Sequence, residues 1–396
     1  MTQMGRALST WAFDELSTGP MAWIVGPRQV GKTFLARSLP SSTYFNWDTP
    51  EVRKAVLRDP YFFRSEKPIV IFDEIHKRRD WKKLLKGYYD SPSRTENFVV
   101  TGSGRMDQYQ RGGDSLQGRY FSYHLWPLSP DEIHTPKGPL HAASPRNFKV
   151  WQPDSNVASD ADLLRLGGFP QPFIVGKTSF LNRWKDQYLE RLVREDVRDF
   201  SSTLHLDKMD MLARLLPERS QSPVSLLSLA EDLEASPVGV KNWLRLFEVL
   251  FFGFLLKPYH RKIHRAVKKE AKWYFQQWAF VDEPGARFEN YLAVQLSSCC
   301  SAWREQGQGL YELFYLRDQD KREVDFLICK DLQPLALIEA KNSPQPWPAA
   351  LHFYTQRLKI PGFLVYPSGP TKRQERGWSL SSAAFLKNLW LKTSTG

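Results

Sequence analysis

Eight residues near the amino terminus, Gly26-Pro27-Arg28-Gln29-Val30-Gly31-Lys32-Thr33, have the spacing G-x-x-x-x-G-K-[ST], which suits a phosphate chain. Glycines at 26 and 31 let the backbone wrap closely, so that successive N–H groups point at an anion. The Lys32 ammonium would reach the β- and γ-phosphates, and the Thr33 hydroxyl would hold magnesium. The alternative is a chance glycine-rich turn, and the flanks argue against it. Met21–Val25 is an apolar run of strand length, and Phe34–Leu39 begins a helix whose positive end would face the anion.

A pair of acids follows the same logic. The run Ile69-Val70-Ile71-Phe72 ends in Asp73 and Glu74, the way a buried parallel strand delivers carboxylates to its C-terminal edge. Asp73 would orient magnesium through water, and Glu74 would polarise an attacking water. Taken alone, the run would be an ordinary strand ending in solvated acids; with Lys32 nearby in the fold it is more. Phe98–Ser103 is a further strand with a polar tip, where Ser103 (or Thr101) could touch the γ-phosphate or the lytic water. A hydroxyl at that place is otherwise a turn former. Gly102-Ser103-Gly104 lacks the full G-x-S-x-G elbow, which excludes that kind of hydrolase nucleophile.

The last third of the chain carries another constellation. Val324-Asp325-Phe326 and Ile338-Glu339-Ala340-Lys341 fall on adjacent predicted strands joined by a short loop. Residues two apart on a strand share a face, so Glu339 and Lys341 point the same way, and the paired strand can place Asp325 beside them. Two carboxylates and an ammonium can hold magnesium, activate water and steady the charge that develops in phosphodiester cleavage. Glu289, on a predicted helix over 287–298, could add a ligand. A surface hairpin with a Glu339–Lys341 salt bridge is the bland reading, and a domain that binds DNA without cutting it is a third.

These groups need a scaffold, and composition allows one. The chain has 396 residues, 42% hydrophobic and 14% aromatic, enough for two or three packed domains. Its formal net charge of +12 points to a polyanionic partner, nucleic acid or a membrane surface, although a generally basic protein would carry the same charge. Cysteines stand only at 299, 300 and 329, with no C-x-x-C pair, so a reducing cytoplasm fits and a zinc site does not. The start lacks the apolar core of a secretory signal, and the run Phe247–Leu256, broken by Glu248, is too short to span a bilayer.

Between the two constellations, Ser236 caps a predicted helix with Pro237 at its first position. Val240, Trp243, Leu244 and Phe247 fall on one stripe, leaving Lys241, Asn242 and Arg245 outward for phosphate or base-edge contacts in a major groove. Lys257–Lys272 follows with seven Lys or Arg and one acid. It reads as a basic wing in which Arg261, Lys262, Arg265, Lys268 and Lys269 meet a nucleic-acid backbone. A solvated basic face on an interdomain packing unit is the alternative.

The succession GPRQVGKT, IVIFDEIHK, VVTGSGR, LQGRY and WPLSPDEI resembles the AAA+ ATPases that carry a C-terminal domain of unknown function. The resemblance covers roughly residues 5–366 and implies an α/β architecture. Its parts are an AAA+ P-loop ATPase core at 1–133, a connector and helical lid at 134–202, a winged helix-turn-helix at 203–282, and a PD-(D/E)xK nuclease-like domain, restriction-endonuclease-like in fold, at 283–396. It places Arg119 where an arginine finger would enter a neighbouring subunit; a cis salt bridge is the alternative for that residue. It implies ATP and magnesium as cofactors, DNA as partner and a homo-oligomer, taken as a hexameric ring. The second sensor arginine has no clear counterpart, with Arg183 and Arg191 as candidates. The leading expectation is a cytoplasmic ATPase that binds and remodels DNA, with a metal-dependent cut as a further activity. The alternative is a nucleotide-dependent regulatory switch acting on a protein partner through a non-cleaving nuclease-like domain.

Overall fold

Short apolar runs alternate with amphipathic helices in the first third of the chain, and in the computed structural model they build a parallel sheet. The structure describes residues 6–13, 16, 19–59, 61–64, 67–102, 116–134, 147–149, 152–153, 158–198, 205–220, 222–260 and 271–390. These fall into two compact units, Gly5–Trp126 with Val249–Phe251, and Pro127–Glu248 with Phe252–Gly396.

In the amino-terminal unit, strands β1 (Met21–Val25), β2 (Ser42–Asn46), β3 (Ile69–Asp73), β4 (Asn97–Thr101) and β5 (Tyr120–His124) lie in the order β2-β3-β4-β1-β5. All neighbours are parallel. Such strands need crossovers, and helices α2 (Lys32–Arg37), α3 (Pro50–Arg58) and α4 (Trp81–Tyr89) lie in three of them; a short α1 (Ser9–Ala12) precedes the sheet. Trp23, Phe63, Phe72, Trp81, Tyr88 and Phe98 form the aromatic centre of the core. Among the described residues of 6–18, only Ser9–Ala12 is α-helical.

The second unit begins with helices α5 (Pro130–His134), α6 (Ala161–Leu166), α7 (Pro170–Val175) and α8 (Thr178–Arg191), the last continuing as a π-helical stretch over Leu192–Val197. The two form one helical segment with a widened end. Tyr188, Leu189 and Leu192 are buried along it, as their spacing requires. Helices α9 (Leu206–Leu215), α10 (Leu226–Asp232) and α11 (Pro237–Val249) follow, then an antiparallel ribbon of β6 (Gly253–Leu256) and β7 (Lys272–Phe275). The Ser236 hydroxyl accepts from the Gly239 N–H at 3.0 Å and starts α11.

Helix α12 (Pro284–Glu305) is capped by the Glu283 carboxylate, which accepts from the Gly285 and Ala286 N–H groups, and it buries most of its length. It packs on a mixed sheet of β8 (Tyr311–Arg317), β9 (Glu323–Lys330), β10 (Gln333–Ala340), β11 (Gly362–Tyr366), β12 (Lys372–Gln374) and β13 (Gly377–Ser381), in the order β12-β13-β11-β10-β9-β8. Strands β8, β9 and β10 run antiparallel; β10, β11 and β13 run parallel. Helices α13 (Ala349–Leu358) and α14 (Ser382–Trp390) complete the unit. Asp160, 2% exposed, ties the connector to it by accepting from the Tyr291 hydroxyl at 2.6 Å and the Ser382 hydroxyl at 2.8 Å.

Candidate functional site

Strand order decides what meets at the carboxyl edge of the parallel sheet, where ligands of such sheets bind. Strand β1 feeds the glycine loop, β4 lies beside it and β3 beside β4, so the tips of three neighbouring strands converge. Thr101 pairs in register with Ile24 on one side and Asp73 on the other. Gly26 has φ +146°, and a Cβ there would lie 2.5 Å from the Leu125 carbonyl oxygen. That close approach is why only glycine fits. Gly31 turns the chain at φ +105° into α2, six residues long.

Within this loop Pro27 and Val30 are buried, and Arg28 and Gln29 are half-buried. Lys32 is 7% exposed and donates to the carbonyls of Gly26 at 2.9 Å and Pro27 at 2.8 Å. Its ammonium thus lies over the mouth of the loop. The Asp73 carboxylate accepts from three hydroxyls: Thr33 at 2.8 Å, Tyr44 at 2.5 Å and Thr101 at 2.5 Å. Burial and the bond to Asp73 push the Tyr44 phenol well above its ordinary pKa, so it stays a donor. Thr33 and Asp73 offer hard oxygen atoms next to the loop, a set that fits a nucleotide-bound magnesium. When bound there, such an ion would neutralise charge as it develops on the phosphates.

Glu74 follows with a left-handed backbone, φ +57° and ψ +21°, a conformation costing about 1–2 kcal/mol in a residue with a Cβ. Its N–H donates to the Thr101 carbonyl at 3.0 Å, which holds the turn. Burial raises the Glu74 carboxyl above the usual range, against the opposing pull of Lys32 and Lys77. His76 lies 3.6 Å from it and is kept neutral, its pKa pushed down to about 4 by burial and then by Lys77 and Lys32. Strain, burial and two nearby cations at one carboxylate set Glu74 apart from a solvated strand end.

Arg119 is held in cis, its guanidinium donating to both Asp90 oxygens at 2.8 and 2.9 Å. A role in a neighbouring subunit would require that pair to open. Arg183 and Arg191 are exposed on α8. Ser103 lies outside the described residues; Thr101 is the hydroxyl that the structure brings to Asp73.

The carboxyl-terminal residues also converge. Across the β9–β10 hairpin, Ala340 N–H donates to Asp325 at 2.9 Å and Asp325 N–H to Glu339 at 3.3 Å. Lys341 lies 2.7 Å from Glu339. Glu289 enters from α12 and accepts from the Tyr274 hydroxyl at 2.6 Å. Burial, then the charge of Asp325, pushes both Glu289 and Glu339 up to about 7. The centre of this group is taken by Lys272, 1% exposed. Its ammonium is 2.7 Å from Glu323, 3.3 Å from Glu289 and 3.9 Å from Asp325. The basic run had placed Lys272 on an exposed wing; the structure instead buries it, because its strand packs against α12. Each carboxylate of the group is thus bonded to an ammonium or lies beside one, and the donor set does not fit a divalent ion. Among the described residues no group of three His, Cys, Asp or Glu is arranged to hold a metal.

On α11, Lys241, Asn242 and Arg245 are exposed while Val240, Trp243, Leu244 and Phe247 are buried. Arg261, Lys262, Arg265, Lys268 and Lys269 lie outside the described residues. The three cysteines are free and buried. Among the described residues no helix is long and apolar enough to cross a membrane.

A family model described as an AAA domain matches residues 18–134. Two further models, each described as a domain of unknown function (DUF8612 and DUF4143), match 160–279 and 284–385. Uncharacterised proteins of Mycobacterium bovis and Mycobacterium tuberculosis are each 22% identical over 351 residues, covering 84% of this chain and 72% of the relative. The amino-terminal site is therefore that of an AAA-type P-loop domain.

Proposed function

We propose that this protein is a cytoplasmic, magnesium-dependent ATPase that couples turnover at the amino-terminal site to the binding and remodelling of DNA. The observation that carries the ATPase reading is the convergence of Lys32, Thr33, Asp73, Glu74 and Thr101 at three adjacent strand tips. Lys32 would bind the terminal phosphates, Thr33 and Asp73 would hold magnesium, and Glu74 would orient and deprotonate the attacking water. DNA is favoured by the exposed Lys241, Asn242 and Arg245 on α11, by the ribbon that follows as in a winged helix, and by the net charge of +12. Arg119, acting in a homo-oligomer, would complete a neighbour's site once released from Asp90.

The test is ATPase rate and DNA binding against single-stranded, duplex and branched DNA at several salt concentrations. Binding should weaken steeply with salt, and Lys241→Ala with Arg245→Ala should lower the log–log salt slope by about 2, roughly one for each phosphate no longer neutralised. Hydrolysis without any salt-sensitive DNA binding would remove DNA from this reading.

Metal-dependent strand cleavage, expected from the spacing of Asp325, Glu339 and Lys341, is not part of this proposal, because Lys272 fills the centre of that group. Its signature would be magnesium- or manganese-dependent cutting that disappears in both Asp325→Ala and Lys341→Ala.

A further inference from the structure

Strand β7 alternates, so its two faces do different things. Trp273 and Phe275 pack against Phe252, with ring centroids 6.4 and 5.2 Å away. Lys272 and Tyr274 therefore face the other way, onto one turn of α12. That turn fixes the strand closely. Asn290 accepts from the Phe275 N–H at 2.9 Å and donates to the Phe275 carbonyl at 2.7 Å, while Glu289 takes the Tyr274 hydroxyl. With the backbone clipped at Phe275, the Lys272 side chain is delivered among Glu289, Glu323 and Asp325. Its ammonium lies over the Tyr315 ring, 5.5 Å from the centroid.

We propose that Lys272 is the resident cation of the carboxyl-terminal cluster, taking the position between Glu289, Glu323 and Asp325 that a divalent ion would otherwise hold, and fastening the ribbon to the sheet. Buried carboxylates at this spacing need a counter-charge. Here the chain supplies it from a strand far away in sequence. A divalent ion added to the same group would sit within a few ångströms of the Lys272 ammonium, in surroundings that screen the repulsion poorly. Lys341 balances Glu339 in the same way at 2.7 Å. The cluster on this account is a socket that holds two modules of the chain together, and it takes up no metal while Lys272 is in place. The inference rests on neither the ATPase nor the DNA reading, and its test omits both nucleotide and DNA.

The experiment uses the full chain with manganese as the probe, read by the electron paramagnetic resonance of the free ion and by thermal unfolding. Wild type and Asp325→Asn should bind the same amount of manganese, because the cluster contributes none. Lys272→Met should gain at least tenfold in manganese affinity and show a manganese-dependent rise in Tm, both abolished in Lys272→Met/Asp325→Asn. If Lys272→Met does not fold, the comparison of wild type with Asp325→Asn decides by itself. A manganese ion bound by wild type and absent from Asp325→Asn would overturn the proposal, as would a folded Lys272→Met with no gain.

Discussion

Asp73 and Asp325 both lie on interior strands of a sheet, strands of mostly apolar residues, yet their charges are answered in opposite ways. Around Asp73 the donors are hydroxyls, from Thr33, Tyr44 and Thr101. Around Asp325 and its neighbours Glu289, Glu323 and Glu339 they include two ammonium groups, Lys272 and Lys341. A neutral donor orients a carboxylate and leaves its charge available to an arriving cation; an ammonium at the same distance cancels it. The lysine of the amino-terminal site, by contrast, donates to the loop carbonyls of Gly26 and Pro27. Acidic residues in similar surroundings are thus met by neutral hydroxyls in one unit and by cations in the other. What separates them is the partner, more than the acid.

The comparison is broken most sharply at Glu74. Its replacement by Gln should reduce ATP turnover by about 10²–10⁴-fold while nucleotide binding, followed with a fluorescent analogue, is retained. A loss of binding equal to the loss of turnover would make Glu74 a structural acid like those around Lys272. A smaller effect sharpens the contrast at Asp160, a buried acid that accepts from two hydroxyls. Asp160→Ala leaves the Tyr291 and Ser382 hydroxyls without their acceptor and should cost about 1–3 kcal/mol in denaturant unfolding. Near-zero change would mean that hydroxyl bonds alone contribute little here.

The smallest effect concerns pH. Burial raises the Asp160 carboxyl above its ordinary value despite its two hydroxyl bonds. A carboxyl raised in the folded state contributes stability at pH below its unfolded pKa and loses it as pH rises through the folded one. The Tm of wild type minus that of Asp160→Asn should therefore fall as the pH is raised from the acid side. A difference that grows with pH would reverse the assigned sign.

Much of the amino-terminal site was legible because its signals are local. Eight consecutive residues define the loop, and an apolar run ending in two acids defines the tip of β3. Tyr44 escaped notice because it reaches Asp73 only across neighbouring strands, and nothing at Ser42–Asn46 marks it. Asp90 as the partner of Arg119 is hidden because the pair joins the end of α4 to the residue before β5, 29 residues apart in the chain. Lys272 was misread outright. It ends a run of basic residues, and runs of that kind usually lie in solvent; its partners Glu289, Glu323 and Asp325 lie at least 17 residues away. The available signal was the segment Lys272-Trp273-Tyr274-Phe275, in which a charged residue opens an otherwise aromatic strand and shares a face with a tyrosine. Beyond Tyr366 no element was predicted, although Trp378 and Leu380 alternate along β13 and Gly377 brings its backbone close to Gly362.

The most direct test is magnesium-dependent ATP hydrolysis by the full chain, measured beside Asp73→Asn. The account predicts steady turnover in wild type and a fall on the order of 10²–10³-fold in the variant, with the protein still folded by circular dichroism. Equal turnover in the two proteins, or none in a folded wild type, would contradict the assignment of Asp73 to a working nucleotide site.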